Sequence, residues 1–157
     1  MSSIGMLSIE DQAAIEESLK EFLSKAESKW AALVDRGGNL FAENGDIGNL
    51  DISILCALAA GSFSATRELA RRLGEKEFTA LYHEGSKISI LMTSLNYDCL
   101  LITVFGETTN IGLVRFYSQQ TSERLNVTLE KASESSSEAG PLQVDTDIDN
   151  EGTPIIQ

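Results

Sequence analysis

The chain has 157 residues and is acidic, with 24 Asp and Glu against 12 Lys and Arg, 42% hydrophobic residues, two Cys, one His and two Pro. Its length fits one domain of ordinary size with room for a tail, and its net charge of −12 argues against the Lys/Arg surface that nucleic acid or an anionic membrane demands. The apolar runs fall far short of the ~20 residues of a membrane helix, Met1-Ser2-Ser3-Ile4-Gly5 lacks the regions of a signal peptide, and two isolated Cys make neither a disulfide framework nor a zinc site, so a soluble, cytoplasmic protein is expected.

Ser8-x-x-Asp11 opens the first helix as a capping box, in which the Ser oxygen accepts a first-turn N–H. Glu10, Asp11, Glu16 and Glu17 crowd the positive end of its dipole. Ile15, Leu19, Phe22, Leu23 and Ala26 recur at helical spacing as one apolar stripe, which ends near Ser28. Trp30-Ala-Ala-Leu-Val34 reads as a buried strand and Leu40-Phe-Ala-Glu43 as its antiparallel return. Between them Asp35-Arg-Gly-Gly-Asn39 is turn chemistry, with Gly free to take positive φ. Asn44-Gly45-Asp46 and Gly48-Asn49 form a loop that leaves the sheet.

Asp51 is suited to cap a second helix running to about Leu73, with Gly74 as its stop. One face carries large residues (Ile52, Leu55, Ala59, Phe63, Thr66, Ala70, Leu73) and the other small ones (Ala57, Ala60, Gly61, Ser64, Ala65). A helix that covers a sheet on one side is polar on the other. Small, uncharged residues there point to close approach by another backbone, either a second subunit or the interior of the same monomer.

Residues 78–83, 88–93 and 98–105 are strand-like, and the short turns between them demand antiparallel neighbours. Cys99-Leu-Leu-Ile-Thr-Val-Phe105 is the most apolar and belongs at the centre of the sheet, whereas 78–83 would be an exposed edge that proteins tend to cover or pair. Thr108 or Thr109 caps a last helix carrying Ile111, Leu113, Val114, Tyr117, Leu125 and Leu129. The order is α-β-β-α-β-β-β-α, an α+β domain over residues 7–131. Residues 132–157 hold six acidic side chains, four Ser and no Lys or Arg, the composition of a flexible acidic tail.

Three runs carry a resemblance. Leu33-Val-Asp-Arg-Gly-Gly-Asn-Leu40, Asp51 through Gly61 with its Leu58-Ala-Ala-Gly61, and Asn110-Ile-Gly-Leu-Val-Arg115 resemble the first hairpin, the small-residue helix and the start of the last helix of the Roadblock/longin-like family, to which the dynein light-chain Roadblock belongs. The likeness spans residues 7–131. Leu73-Gly-Glu-Lys-Glu-Phe78, Tyr82-His-Glu-Gly85, Gly112-Leu-Val-Arg115 and Asp147-Ile-Asp-Asn150 are similar to runs of its MglB branch, the bacterial partners of the Ras-like GTPase MglA.

The resemblance implies a five-stranded antiparallel sheet and a homodimer in which the second helices pack antiparallel and edge strands join two sheets into one. It also implies a GTPase-activating regulator in cell polarity or motility, without catalysis of its own, that repositions the catalytic residues of the GTPase. It places the GTPase-binding and dimer platform on Ala57, Gly61, Ser64, Ala65 and Glu68; the branch tends to be small at the last position, so Glu68 departs from it. A Roadblock scaffold dimer that leaves nucleotide turnover unchanged is the alternative.

Few other residues suggest chemistry. His83 beside Glu84 has no second His and no Cys at ligand spacing, so neither a metal nor a cofactor is expected. Cys56 and Cys99 lie in apolar runs as small hydrophobes. Asp145-x-Asp147-x-Asp149 imitates an EF-hand opening, but Asn150 stands where Gly is required and Ile156 where a bidentate Glu is. No Walker lysine pattern exists. Arg67, Arg71, Arg72 and Lys76 form the one basic cluster. It is either a solvated helix end partnered by Glu68 and Glu75, or a docking surface for an acidic partner or the chain's own tail. An arginine finger is the sharpest form of the second reading, and the MglB likeness argues against it.

Overall fold

In chain order the elements are α1 (Ile9–Ala26), β1 (Trp30–Asp35), β2 (Leu40–Gly45), α2 (Ile52–Arg72), β3 (Ala80–His83), β4 (Ser89–Ser94), β5 (Cys99–Phe105) and α3 (Ile111–Ala139). The computed structural model describes residues 7–139, with side chains to residue 135. The five strands form one sheet in the order β2-β1-β5-β4-β3, and every neighbouring pair is antiparallel. β5 is buried along its whole length and central, as its composition demands. β3, half-exposed, lies at one edge and β2 at the other.

Because successive strand side chains point to opposite faces, the sheet carries two cores. Ala31, Leu33, Leu91, Leu101 and Phe105 face α1 and α3, meeting Ile15, Leu19, Phe22, Leu125 and Leu129. Trp30, Ala32, Val34, Leu100, Ile102 and Val104 face α2, meeting Cys56, Ala59, Ala60 and Phe63. The sheet is therefore sandwiched, two helices on one face and one on the other.

The capping box of α1 forms as its spacing predicts, with Asp11 N donating to Ser8 Oγ at 3.0 Å and Ser8 N to Asp11 Oδ2 at 3.3 Å. α3 is capped differently from expectation. Asn110 Oδ1 accepts from Leu113 N at 2.9 Å, while the Thr108 hydroxyl is turned to the Glu27 carbonyl at 3.4 Å. The helix begins at Ile111, so only the side chain directly before it reaches the orphan first-turn N–H groups.

Three boundaries move for packing reasons. β2 continues to Gly45 because β1 already starts at Trp30, opposite Gly45, and the two strands stay paired from there to Val34 and Leu40 with one bulge between Leu33 and Val34. β3 starts at Ala80 and not at residue 78, since Phe78 packs against Phe63, with ring centroids 4.9 Å apart and the rings tilted by 43°. α3 runs through residue 131 to Ala139, continuing the Leu125, Leu129, Ala132 stripe with Ala132 buried. Residues 140–157, with the Asp145-x-Asp147-x-Asp149 run and Asp147-Ile-Asp-Asn150, lie outside the described residues.

Both thiols are sealed in the cores, Cys56 at 0% and Cys99 at 1% exposure. Burial, reinforced by Asp35 and Asp98, pushes the Cys99 thiol up to about 12. Two results follow. Neither Cys should react with a thiol reagent at pH 8 in the native protein, and both should after unfolding in urea. Since the folded chain holds the Cys99 proton that the unfolded chain releases above pH 9, this group's contribution to stability is complete below pH 9 and is lost as pH rises toward 12. A denaturation series across that range reads it.

Candidate functional site

α2 is set by Asp51, whose Oδ1 accepts from Ile54 N at 3.3 Å. Its inner face is the expected one, with Ala59 and Phe63 buried and Ile52, Leu55, Thr66 and Ala70 half-buried. Two residues change sides. Ala60, grouped with the small outer residues, is buried in the α2 core at 1% exposure, and Leu73, grouped with the inner ones, is 79% exposed. Cys56 completes the buried strip.

The outer face is not simply small. Gly61 and Ala65 are exposed along one stripe with Ile54 (57%), Leu58 (66%) and Leu69 (58%). These five positions recur at i, i+4, i+7, i+11 and i+15, which places them on one side of a helix. The same helical period that groups the small residues also places Ile54, Leu58 and Leu69 on this face, so the surface is wider than the small residues alone define. Ala57 and Glu68 are exposed at the border of the stripe and Ser64 is half-buried there. The five platform positions thus lie together on the outer surface of α2.

Gly61 is the least expected residue of this face. A Gly inside a helix is about 0.5–1 kcal/mol worse than Ala, and a Cβ built here meets nothing within 4 Å. Nothing within the described chain requires it. Ala57 differs, because the β1–β2 turn rests on it: a Cβ on Gly38 would lie 2.7 Å from the Ala57 Cα. One close backbone approach to the small face is therefore internal.

The last turns of α2 are charged. The Glu68 carboxylate accepts from Arg71 Nε at 3.0 Å and Nη2 at 2.7 Å, and from Arg72 Nε at 2.9 Å. These hydrogen bonds, Arg71 first, hold its carboxyl below the usual range. Arg67 lies over the Phe63 ring, 5.8 Å from its centroid. All three arginines are engaged on their own helix, which fits a structured surface better than an extended arginine finger.

Two cavities lie beside α2. One, of about 420 Å³, is lined by Arg36, Ser64, Arg67, Glu68, Arg71, Glu75, Lys76 and Phe78 at the C-terminal end of α2. The other, of about 360 Å³ and largely apolar, lies between the 46–50 loop, Leu55 and the sheet residues Ile90 and Val104. His83 ends β3 exposed and pairs with Ile90. Among the described residues, no three His, Cys, Asp or Glu side chains are grouped to hold a metal, and no helix is long and apolar enough to cross a membrane.

With this arrangement in view, residues 14–105 match the Roadblock/LC7 domain. The chain belongs to that family. Among solved structures, this Roadblock chain is similar to Myxococcus xanthus MglB, with 31% identity, 82% of this chain and 96% of that one covered, and a TM-score of 0.75. It is also similar to the gliding protein MglB of Thermus thermophilus, with 28% identity, 83% and 98% covered, and a TM-score of 0.76. A further MglB, in a tetrameric arrangement, shares 27% identity over 84% of this chain and 98% of that one, with a TM-score of 0.75. The α-β-β-α-β-β-β-α order and five-stranded antiparallel sheet are the expected Roadblock fold, here of MglB type.

Proposed function

We propose that this Roadblock chain is a homodimeric regulator that activates GTP hydrolysis by a small Ras-like GTPase of the MglA type. One observation carries the reading: the outer stripe Ile54, Leu58, Gly61, Ala65 and Leu69 is apolar and uncovered on an MglB-type fold. Large apolar side chains in a row on a helix surface mark an interaction site. In the dimer, two such faces pack antiparallel around Gly61 and the half-exposed edge strand β3 joins its copy, since an open edge is a template for pairing. A two-fold, self-complementary contact is the commonest solution.

The paired helices form a platform for the switch loops of the GTPase, with Ala57, Ser64 and Glu68 at its border. Binding that favours the hydrolysis-competent arrangement shifts the GTPase toward it, which needs only differential affinity. The charge of Glu68 is balanced by Arg71 and Arg72, so this position presents a compact ion-paired patch in place of a small side chain. The site of action is the cytoplasm.

Single-turnover GTP hydrolysis by a purified MglA-type GTPase, with and without this chain, tests the proposal. The expected result is acceleration of about tenfold or more, equivalent to ~1.4 kcal/mol off the barrier, together with a complex that forms with GTP and not with GDP. A stable complex that is blind to the nucleotide and leaves turnover unchanged would make the chain a scaffold.

A further inference from the structure

The basic cavity at the end of α2 is an anomaly of charge. Six of the 24 acidic side chains follow residue 131, which leaves 18 against all 12 basic ones in the domain. Yet the cavity is lined by four cations, Arg36, Arg67, Arg71 and Lys76, against two anions, Glu68 and Glu75. Among the described residues, Arg67 and Lys76 have no carboxylate within ion-pair distance.

The later turns of α3 are linked to the same end of the domain. Arg36, in the β1–β2 turn, lies 3.8 Å from Asp98 in the β4–β5 turn. That second turn is tied to α3, with Asn96 N donating to Asn126 Oδ1 at 2.9 Å and the Tyr97 hydroxyl to Glu130. α3 then runs on to Ala139, about 13 Å past this anchor. Of the residues beyond, 145–151 hold Asp145, Asp147, Asp149 and Glu151 and no cation. Counted from Ala139, the six residues to Asp145 reach up to ~20 Å and the twelve to Glu151 up to ~40 Å, enough to turn back past the two linked turns.

We propose that residues 145–151 of the same chain dock in this basic cavity, with their carboxylates against Arg36, Arg67, Arg71 and Lys76. The occupant is intramolecular, so its effective concentration is set by the short connecting chain and not by cellular supply. Charge on a partly exposed surface makes the contact weak and salt-sensitive, a reversible cover and not a fixed part of the fold. Ser64 lines the cavity beside Glu68, so a docked tail also covers one border of the platform. That consequence rests on the proposed GTPase site, whereas the docking itself does not.

The test needs no GTPase. A nitroxide on the full-length Thr146→Cys variant reports where the segment lies, because the native Cys56 and Cys99 are buried and escape labelling. Broadening of the amide signals of Arg36 and residues 67–78 is expected. It should be lost in R67E/K76E, and equally in a tail carrying D145N, D147N, D149N and E151Q, which leaves the folded domain untouched. Raising ionic strength from about 0.05 to about 0.5 M, which shortens the screening length to a few ångströms, should also remove it. Signals that stay sharp at low salt, or broadening that survives both charge variants, would overturn the proposal. So would broadening in mixed samples that carry label and isotope on different chains, since the tail would then serve another copy.

Discussion

Gly61→Arg should abolish self-association and GTPase binding together while leaving the monomer folded. The fold tolerates the change because a side chain at Gly61 enters open space, and replacing an exposed mid-helix Gly by Arg improves helix propensity by roughly 0.8 kcal/mol. The interface does not tolerate it. Gly61 stands at the middle of the outer stripe, where the two antiparallel helices of the proposed dimer would come closest, and a guanidinium there would be buried against Leu58 or Ala65 of the other copy without a partner. Burying an unpaired charge costs several kcal/mol. Light scattering at micromolar concentration should give a dimer for the wild type and a monomer for the variant. Melting adds a second readout: the wild-type midpoint should rise with protein concentration by mass action, and that of the variant should not. A variant that stays dimeric would move the interface off α2.

The stripe also shows which parts of the site were legible. The capping box at Ser8, the N-cap Asp51 and the continuous apolar run of β5 are local signals, in which the residue and its structural role sit within a few positions of each other, and all three appear as read. The platform positions Ala57, Gly61 and Ala65 are exposed where their helical spacing puts them. What failed depends on partners far along the chain. Ala60 is as small as Ala57, and only the sheet beneath α2 decides that one is buried and the other exposed. Phe78 has the character of a strand residue, but Phe63, fifteen positions away, takes it out of β3. Leu58 and Leu69 look like core residues to any rule that equates size with burial, and their exposure becomes visible only once the inner face is seen to be filled by Cys56, Ala59, Ala60 and Phe63.

Adjacent glycines in the β1–β2 turn make the same point as a measurement, since Gly37→Ala and Gly38→Ala should differ by about 3 kcal/mol although the sequence scarcely separates them. The turn is built on Asp35, whose Oδ1 accepts from Gly37 N and Asn39 N, both at 2.9 Å. A Cβ on Gly37 would meet only Asn39 Nδ2 and Asp35 Oδ1, each at an ordinary 3.6 Å. That substitution should be neutral, or stabilising by a few tenths of a kcal/mol through a less flexible unfolded chain. Gly38 has φ +89°, and its Cβ would fall 2.7 Å from the Ala57 Cα and 2.8 Å from the Cys56 carbonyl oxygen. Those are backbone atoms of α2 and cannot rotate aside. The left-handed conformation costs a non-Gly residue about 1–2 kcal/mol, and the overpacking adds a further ~1–3 kcal/mol. Urea denaturation of the two variants reads the difference directly. Function should follow stability only for Gly38. Its turn is clamped on the first half of α2, so lifting the turn shifts Ala57, and GTPase binding should weaken in Gly38→Ala under conditions where the variant is still folded, while Gly37→Ala binds as the wild type does.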